Sequence, residues 1–195
     1  MQTDKEFYFS AGLYDIPWGR LVNWYGRSTD FPACFHDMLS DDPEKQKAAI
    51  GKIEMNIEHQ DGIMMATPFA LLFLFRLLAF DQTDKKQILK TILAVVKAAK
   101  FQTEYYEGQE IENKISHIQE LLDDQYIWPE FESEDQDEMH WEEFEYGDEH
   151  YYWLKYIFEI AKAHSFILTK FTDQTEIDTA KEIINLLTET DNQFK

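Results

Sequence analysis

Glycine, proline and cysteine are scarce in this chain, and each scarcity excludes something. Seven Gly and five Pro in 195 residues are too few for the many turns of an all-β domain, which favours long helices. The one cysteine, Cys34, allows no intramolecular disulfide and fits a reducing compartment. Long apolar runs are missing too. The richest, Pro68 to Phe80, has thirteen residues with Arg76 inside it, too short to cross a bilayer. The opening MQTDKEFYFSAGLYD carries acids early and has no basic stretch followed by an apolar one, so no secretory signal is expected. The expectation is a soluble, cytoplasmic protein with no membrane partner. Positive charge is outnumbered: 18 Lys and Arg face 38 Asp and Glu, a formal charge of −20. A field of that sign repels nucleic acid and draws in basic proteins.

Chemical motifs are also lacking. There is no glycine-rich phosphate loop, no G-x-S-x-G elbow, no H-E-x-x-H, no Cys-His metal set and no EF-hand loop. Glu138, His140 and Glu142, like Asp148 and His150, alternate acid and imidazole without a metal-ligand pattern. Cys34 and His36 stand two apart and would diverge on a helix, so Cys34 reads as a structural thiol. His164 lies on an apolar stripe and reads as a hydrogen-bonded core histidine. No catalytic residue, metal or cofactor is expected, and the chain does not read as an enzyme.

Hydrophobic residues make up 44% and aromatics 15%, enough for a packed core in one domain spanning residues 1–195. Asp42-Pro43 is a helix start, a capping acid followed by proline at the first position. Ala49, Ile50, Ile53 and Ile57 then share one face. Thr67-Pro68 reads as the same cap, opening a helix apolar nearly all round and therefore central. After the Asp81–Asp84 turn a long helix runs from Lys85 to about Tyr106, ending near Gly108. Ile111, Ile115, Ile118 and Leu122 have helical spacing. A strong helix resumes at Asp148, and a last one spans about Thr175 to Thr188. Lys86, Lys90, Lys97 and Lys100 share a face of the long helix, either solvated or set against internal acids. Helix pairs at roughly 40-residue spacing suggest a HEAT or armadillo-like array.

Residues 15–78 sharpen this. The order Trp18-x-x-Leu21, Tyr25-Gly26, Asp30-x-Pro32, Leu39, Asp42-Pro43, His59-Gln60, Ala66-Thr67-Pro68 and the apolar helix with Leu72 and Leu74 resembles a family of bacterial HEAT-repeat proteins. Two positions depart: Glu58 stands where the family pattern has tryptophan, and Asp61 is inserted before Gly62. The resemblance implies an all-α, α-α superhelical scaffold of about seven to nine helices that binds a partner. Some members resemble immunity proteins encoded beside secreted toxins. On this pattern Trp18, Leu21 and Tyr25 belong to a first helix ended by Gly26. Independently of it, His59-Gln60 reads as the close of a helix, where the imidazole holds the last carbonyls.

The most informative segment lies between Lys114 and Lys155, where fourteen acids occur without one Lys or Arg. Such blocks are usually solvated or disordered. Here they alternate with Tyr126, Trp128, Phe131, Trp141, Phe144 and Tyr146, and disordered acidic tracts are poor in aromatics. Residues 123–147 therefore read as an acidic, aromatic-rich insert. Its rings either anchor it to the helices or supply contact area to a partner. The candidate contact residues are Glu138, Trp141, Glu142, Glu143, Phe144, Glu145 and Asp148. The expected function is neutralisation of a basic, nuclease-type toxin domain. The alternatives are a scaffold for an unrelated cellular protein and, more remotely, a HEAT-type nucleic-acid repair enzyme.

Overall fold

In a computed structural model of the chain, residues 2–112 and 114–190 are described. Helix takes 61% and strand 4%, which makes the class all-α. Among the described residues there are eight α-helices: α1 (Asp4–Ser10), α2 (Phe31–Asp37), α3 (Pro43–Ile57), α4 (Thr67–Leu77), α5 (Lys85–Thr103), α6 (Glu134–Glu142), α7 (Glu149–Leu168) and α8 (Gln174–Glu189). None is long and apolar enough to cross a membrane. Two antiparallel hairpins, β1–β2 (Val22–Asn23 with Gly26–Arg27) and β3–β4 (Glu58–His59 with Gly62–Ile63), complete it.

Consecutive helices pack as pairs: α2 on α3, α4 on α5, α7 on α8. The pairs stack in turn, α3 against α4 and α5, and α4 and α5 against α7. This is a helical-repeat arrangement, with residues 104–148 placed between the second and third pairs. The core is continuous from α1 to α8. At its centre α4 is buried at every position but Arg76, as its unbroken apolar sequence requires. Arg76 donates to the carbonyls of Ala11 (2.5 Å) and Tyr8 (2.7 Å). The guanidinium thus closes the C-terminal end of α1, where open carbonyls favour a cation.

The caps are as the sequence implies at Asp42, which accepts from the Glu44 N–H (3.0 Å), and at Asp84, which accepts from the Gln87 N–H (3.0 Å). Thr67 differs. It is the first residue of α4, and its hydroxyl donates to the Ile57 carbonyl (2.6 Å) while accepting from the Met64 N–H (3.2 Å). It ties α4 to α3 instead of capping α4.

Three expectations are corrected. Trp18 and Leu21 are buried as expected, but on a single 3₁₀ turn (Trp18–Arg20) that enters β1, not on a helix. Tyr25 forms the hairpin turn and is 59% exposed; Gly26, at φ +113°, supplies the left-handed residue this turn needs. His59 belongs to β3, so it does not cap α3. The turn after it, Gln60-Asp61, has φ of 52° and 62°, the two positive values of a type I′ turn. The two hairpins meet. Trp24 donates from Nε1 to the Gly62 carbonyl (3.2 Å), and a Cβ at position 62 would run into the Trp24 ring. Thirdly, the described residues of 111–122 form no α-helix, only a 3₁₀ turn at Ile118–Leu122. Side chains from distant elements take up its backbone groups. The Tyr152 hydroxyl accepts from the Lys114 N–H (2.7 Å) and donates to the Glu112 carbonyl (2.6 Å), and Asp4 accepts from the Ile118 N–H (3.0 Å).

Candidate functional site: an acidic shelf on an aromatic base

The acidic segment is folded, and one buried ring explains how. Trp128 is 2% exposed. Its N–H donates to the Arg20 carbonyl (2.8 Å), and its carbonyl accepts from Arg20 Nε (2.9 Å). Arg20 also pairs with Asp124 (2.5 Å). The segment is thereby tied to the 3₁₀ turn leading into β1.

A second tie fixes α6. Ser133 caps it, and the acids of its first turn, Glu134, Asp135 and Asp137, suit the positive end of a helix. Asp137 takes both Oδ atoms to Arg27 of β2, at 2.7 Å from Nε and 3.1 Å from Nη2. It also accepts from Trp128 Nε1 (2.5 Å). Arg27 also donates from Nη1 to the Gly19 carbonyl (2.6 Å) and from Nη2 to the Pro129 carbonyl (2.8 Å). The Arg27 guanidinium, and then the Trp128 N–H, hold the Asp137 carboxyl below the usual carboxylate range. Sequence reasoning gave Asp137 no role of its own and did not consider Arg27. Nothing in the order of residues singles out one acid of fourteen, nor a partner 110 positions away.

Over this base the rings pack on one another. Trp128 has His140 at 4.6 Å, Trp141 at 5.5 Å and Phe144 at 5.7 Å between centroids, and Trp141 lies parallel to Phe144 at 5.9 Å. Trp141 and Phe144 are half-buried, with their inner sides against the core cluster. Of the two roles considered for the rings, anchoring is therefore met by both. Trp141 also lines a groove of about 340 Å³ with Tyr25, Arg27 and Glu138.

The predicted acids divide. Glu138, Glu142, Glu143 and Glu145 are exposed, and none of them, nor Glu134 or Asp135, has an ion pair among the described residues. Asp148 is exposed but bound to Lys114 Nζ (2.6 Å). It closes the end of the segment and is already neutralised.

Beyond Glu145 a second groove, of about 690 Å³, lies between the end of α5 and the start of α7, with Phe101, Tyr105, Tyr146 and His150 in its wall. Phe101 and Tyr105 are 60% and 75% exposed, and these two rings were not anticipated. His150 is buried between the Tyr106 hydroxyl (2.7 Å from Nδ1) and the Gln102 side-chain oxygen (2.7 Å from Nε2). Burial lowers its pKa to about 4, so it is neutral at pH 7.

The other candidates resolve as structural. Cys34 is buried, and burial pushes its thiol pKa up; His36 meets the Tyr14 hydroxyl (3.0 Å). Lys97 pairs with Glu182 (2.5 Å) and Lys100 with Glu189, both on α8, whereas Lys86 and Lys90 are solvated. Among the described residues no three of His, Cys, Asp and Glu gather to hold a metal ion. Compared with protein-family models, curated proteins and solved structures, the chain matches none. The likeness to bacterial HEAT-repeat proteins rests on the residue pattern alone.

Proposed function

We propose that this chain is a non-enzymatic binding protein that takes a basic protein partner on its acidic shelf, in the manner of an immunity protein covering a nuclease-type toxin domain. One observation carries the reading. Six carboxylates, Glu134, Asp135, Glu138, Glu142, Glu143 and Glu145, stand exposed and unpaired on a base ordered by Trp128, Arg27 and Asp137. Exposed like charges crowded on an ordered segment repel each other, so holding them there costs stability that a cationic partner would return. The flanking grooves add aromatic surface, which cationic side chains favour. A toxin that holds a polyanion is basic and fits such a surface. The HEAT-like pattern at Trp18 to Leu74 supports the same reading, since the resemblance implies a scaffold that binds a partner.

The test is co-expression of the chain with a basic toxin domain encoded beside its gene. Rescue of growth and a stoichiometric complex are expected, both weakened when Glu142, Glu143 and Glu145 are reversed to lysine. Rescue unaffected by the reversal would move the interface elsewhere on the helical array. Absence of any basic neighbour product that binds would favour the scaffold alternative.

A further inference from the structure

Where α1, the ends of α4 and α7 and the start of α5 approach one another, they enclose a cavity of about 450 Å³, a volume typical of small-molecule sites. Its charge is opposite to that of the molecule. Arg76, Lys85 and Lys170 line it, Lys85 being paired with Asp81 (3.0 Å) outside the wall, with no Asp or Glu among the described lining residues, in a chain with 38 acids against 18 bases. The rest of the wall is apolar, including the rings of Phe9, Phe166 and Phe171.

Two lining residues each hold a buried polar atom without a partner, Arg76 Nε and His164 Nε2. Both kinds of group are costly to leave unmade. Their chemistry is complementary and fixed. Arg76 uses its two terminal nitrogens on the end of α1, so the Nε–H is a spare donor. His164 is 1% exposed, and its Nδ1 lies 2.9 Å from the Ile160 carbonyl. That oxygen can only accept, so Nδ1 carries the proton and Nε2 is a spare acceptor. The imidazole lies stacked on Phe75 (5.2 Å), with Phe9 at 4.6 Å. Burial holds its pKa below the usual value, and the Arg76 charge adds to that.

A carboxylic acid matches this pair. One oxygen accepts from Arg76 Nε–H; the other brings a proton and shares it with His164 Nε2, so no further acid or base is needed. Water could meet the two atoms but would make no use of the cations or the phenyl rings. We propose that this cavity binds a small amphipathic monocarboxylate, a medium-chain alkyl or aryl-alkyl acid, with its carboxyl group at Arg76 and His164 and its apolar body against Phe9, Phe166 and Phe171. The site shares no residue with the acidic shelf and stands or falls independently of it.

The probes are octanoate, octanol and octylammonium, titrated into the full chain by calorimetry and by nitrogen-detected NMR of the histidine rings. Octanoate should saturate one site and shift the His164 ring nitrogens. It should bind at least about tenfold more tightly than octanol, as one hydrogen bond to a charged group implies. Octylammonium should not compete with it. Exposed Lys170 can be changed without disturbing the core; Lys170→Glu should weaken octanoate about three- to fivefold and leave octanol unchanged. Equal binding of octanoate and octanol, no saturation, or saturation with the His164 signals unmoved would each overturn the proposal.

Discussion

At the scale of single residues, this protein turns on side chains that satisfy someone else's backbone. Arg76 is the charged residue inside the most apolar helix, and it is there because α1 ends against it with open carbonyls. Tyr152 and Asp4 do the same for the segment before Ile118. His150 couples stability to pH. Its folded pKa of about 4 lies below the ordinary histidine value of 6.5, so the neutral ring contributes stability that is fully present above pH 6.5 and is lost as pH falls toward 4. A shift of that size corresponds to about 3 kcal/mol. Urea melts between pH 7 and pH 4 should therefore fall more steeply for the wild type than for His150→Gln, which keeps a polar group but cannot titrate. Identical slopes would show that folding does not lower the pKa of this imidazole. Trp18, 4% exposed and packed among Phe31, Phe35 and Phe73, is the clearest stability test. Trp18→Ala should cost about 3–5 kcal/mol, read from the denaturation midpoint.

At the scale of elements, what the sequence disclosed and what it hid follow from length and locality. α3, α4, α5, α7 and α8 each carry a start signal or a sustained apolar face, and all were legible from caps and spacing. The hairpins were not, because each strand has two residues and no alternation can show in two. Gln60-Asp61 also lacks the Asn-Gly or Asp-Gly signature of its turn type. This last point predicts a gain. Replacing Asp61, at φ 62°, by glycine removes a strained left-handed residue, while its backbone bonds to Glu58 and Gln102 remain available. Asp61→Gly should raise stability by about 0.5–1 kcal/mol. The segment 111–122 misled in the opposite direction. Its isoleucine spacing fits a helix, but the distant Tyr152 and Asp4 competed for the backbone and won. The acidic insert was visible as a block of charge; its attachment was not, since Arg27 and Asp137 are brought together only by the fold. Arg27→Ala should release α6 from β2, seen as faster hydrogen exchange across residues 128–144 with the helix pairs still protected. Equal protection in wild type and variant would mean that the rings alone hold the segment.

At the scale of the whole molecule, the governing quantity is the −20 charge and where it is left uncompensated. Internal pairs neutralise part of it: Lys97 and Lys100 against α8, Lys114 against Asp148, Arg20 and Arg27 against the insert. The shelf carboxylates Glu134, Asp135, Glu138, Glu142, Glu143 and Glu145 have no such pair among the described residues, and they carry the self-repulsion that a partner would relieve. Salt does the same without a partner. Between about 0.01 and 0.15 M ionic strength the screening length falls from about 30 to 8 Å, so the melting temperature of the isolated chain should rise over that range. Reversing Glu142, Glu143 and Glu145 to lysine moves the formal charge by two per residue, from −20 to −14, at exposed positions with no internal partner. The triple variant should stay folded and its melting temperature should depend less on salt. Against a basic partner it should associate more slowly, again with a flatter salt dependence, because long-range attraction acts on encounter. Trp141→Ala should differ in kind. Its ring braces Trp128 and Phe144, so its loss should loosen the shelf, speed dissociation and leave the salt dependence of association as it was. If the triple reversal leaves both the melting curve and the association rate unchanged, the carboxylates are merely solvated, and the binding surface must be sought on the helix pairs instead.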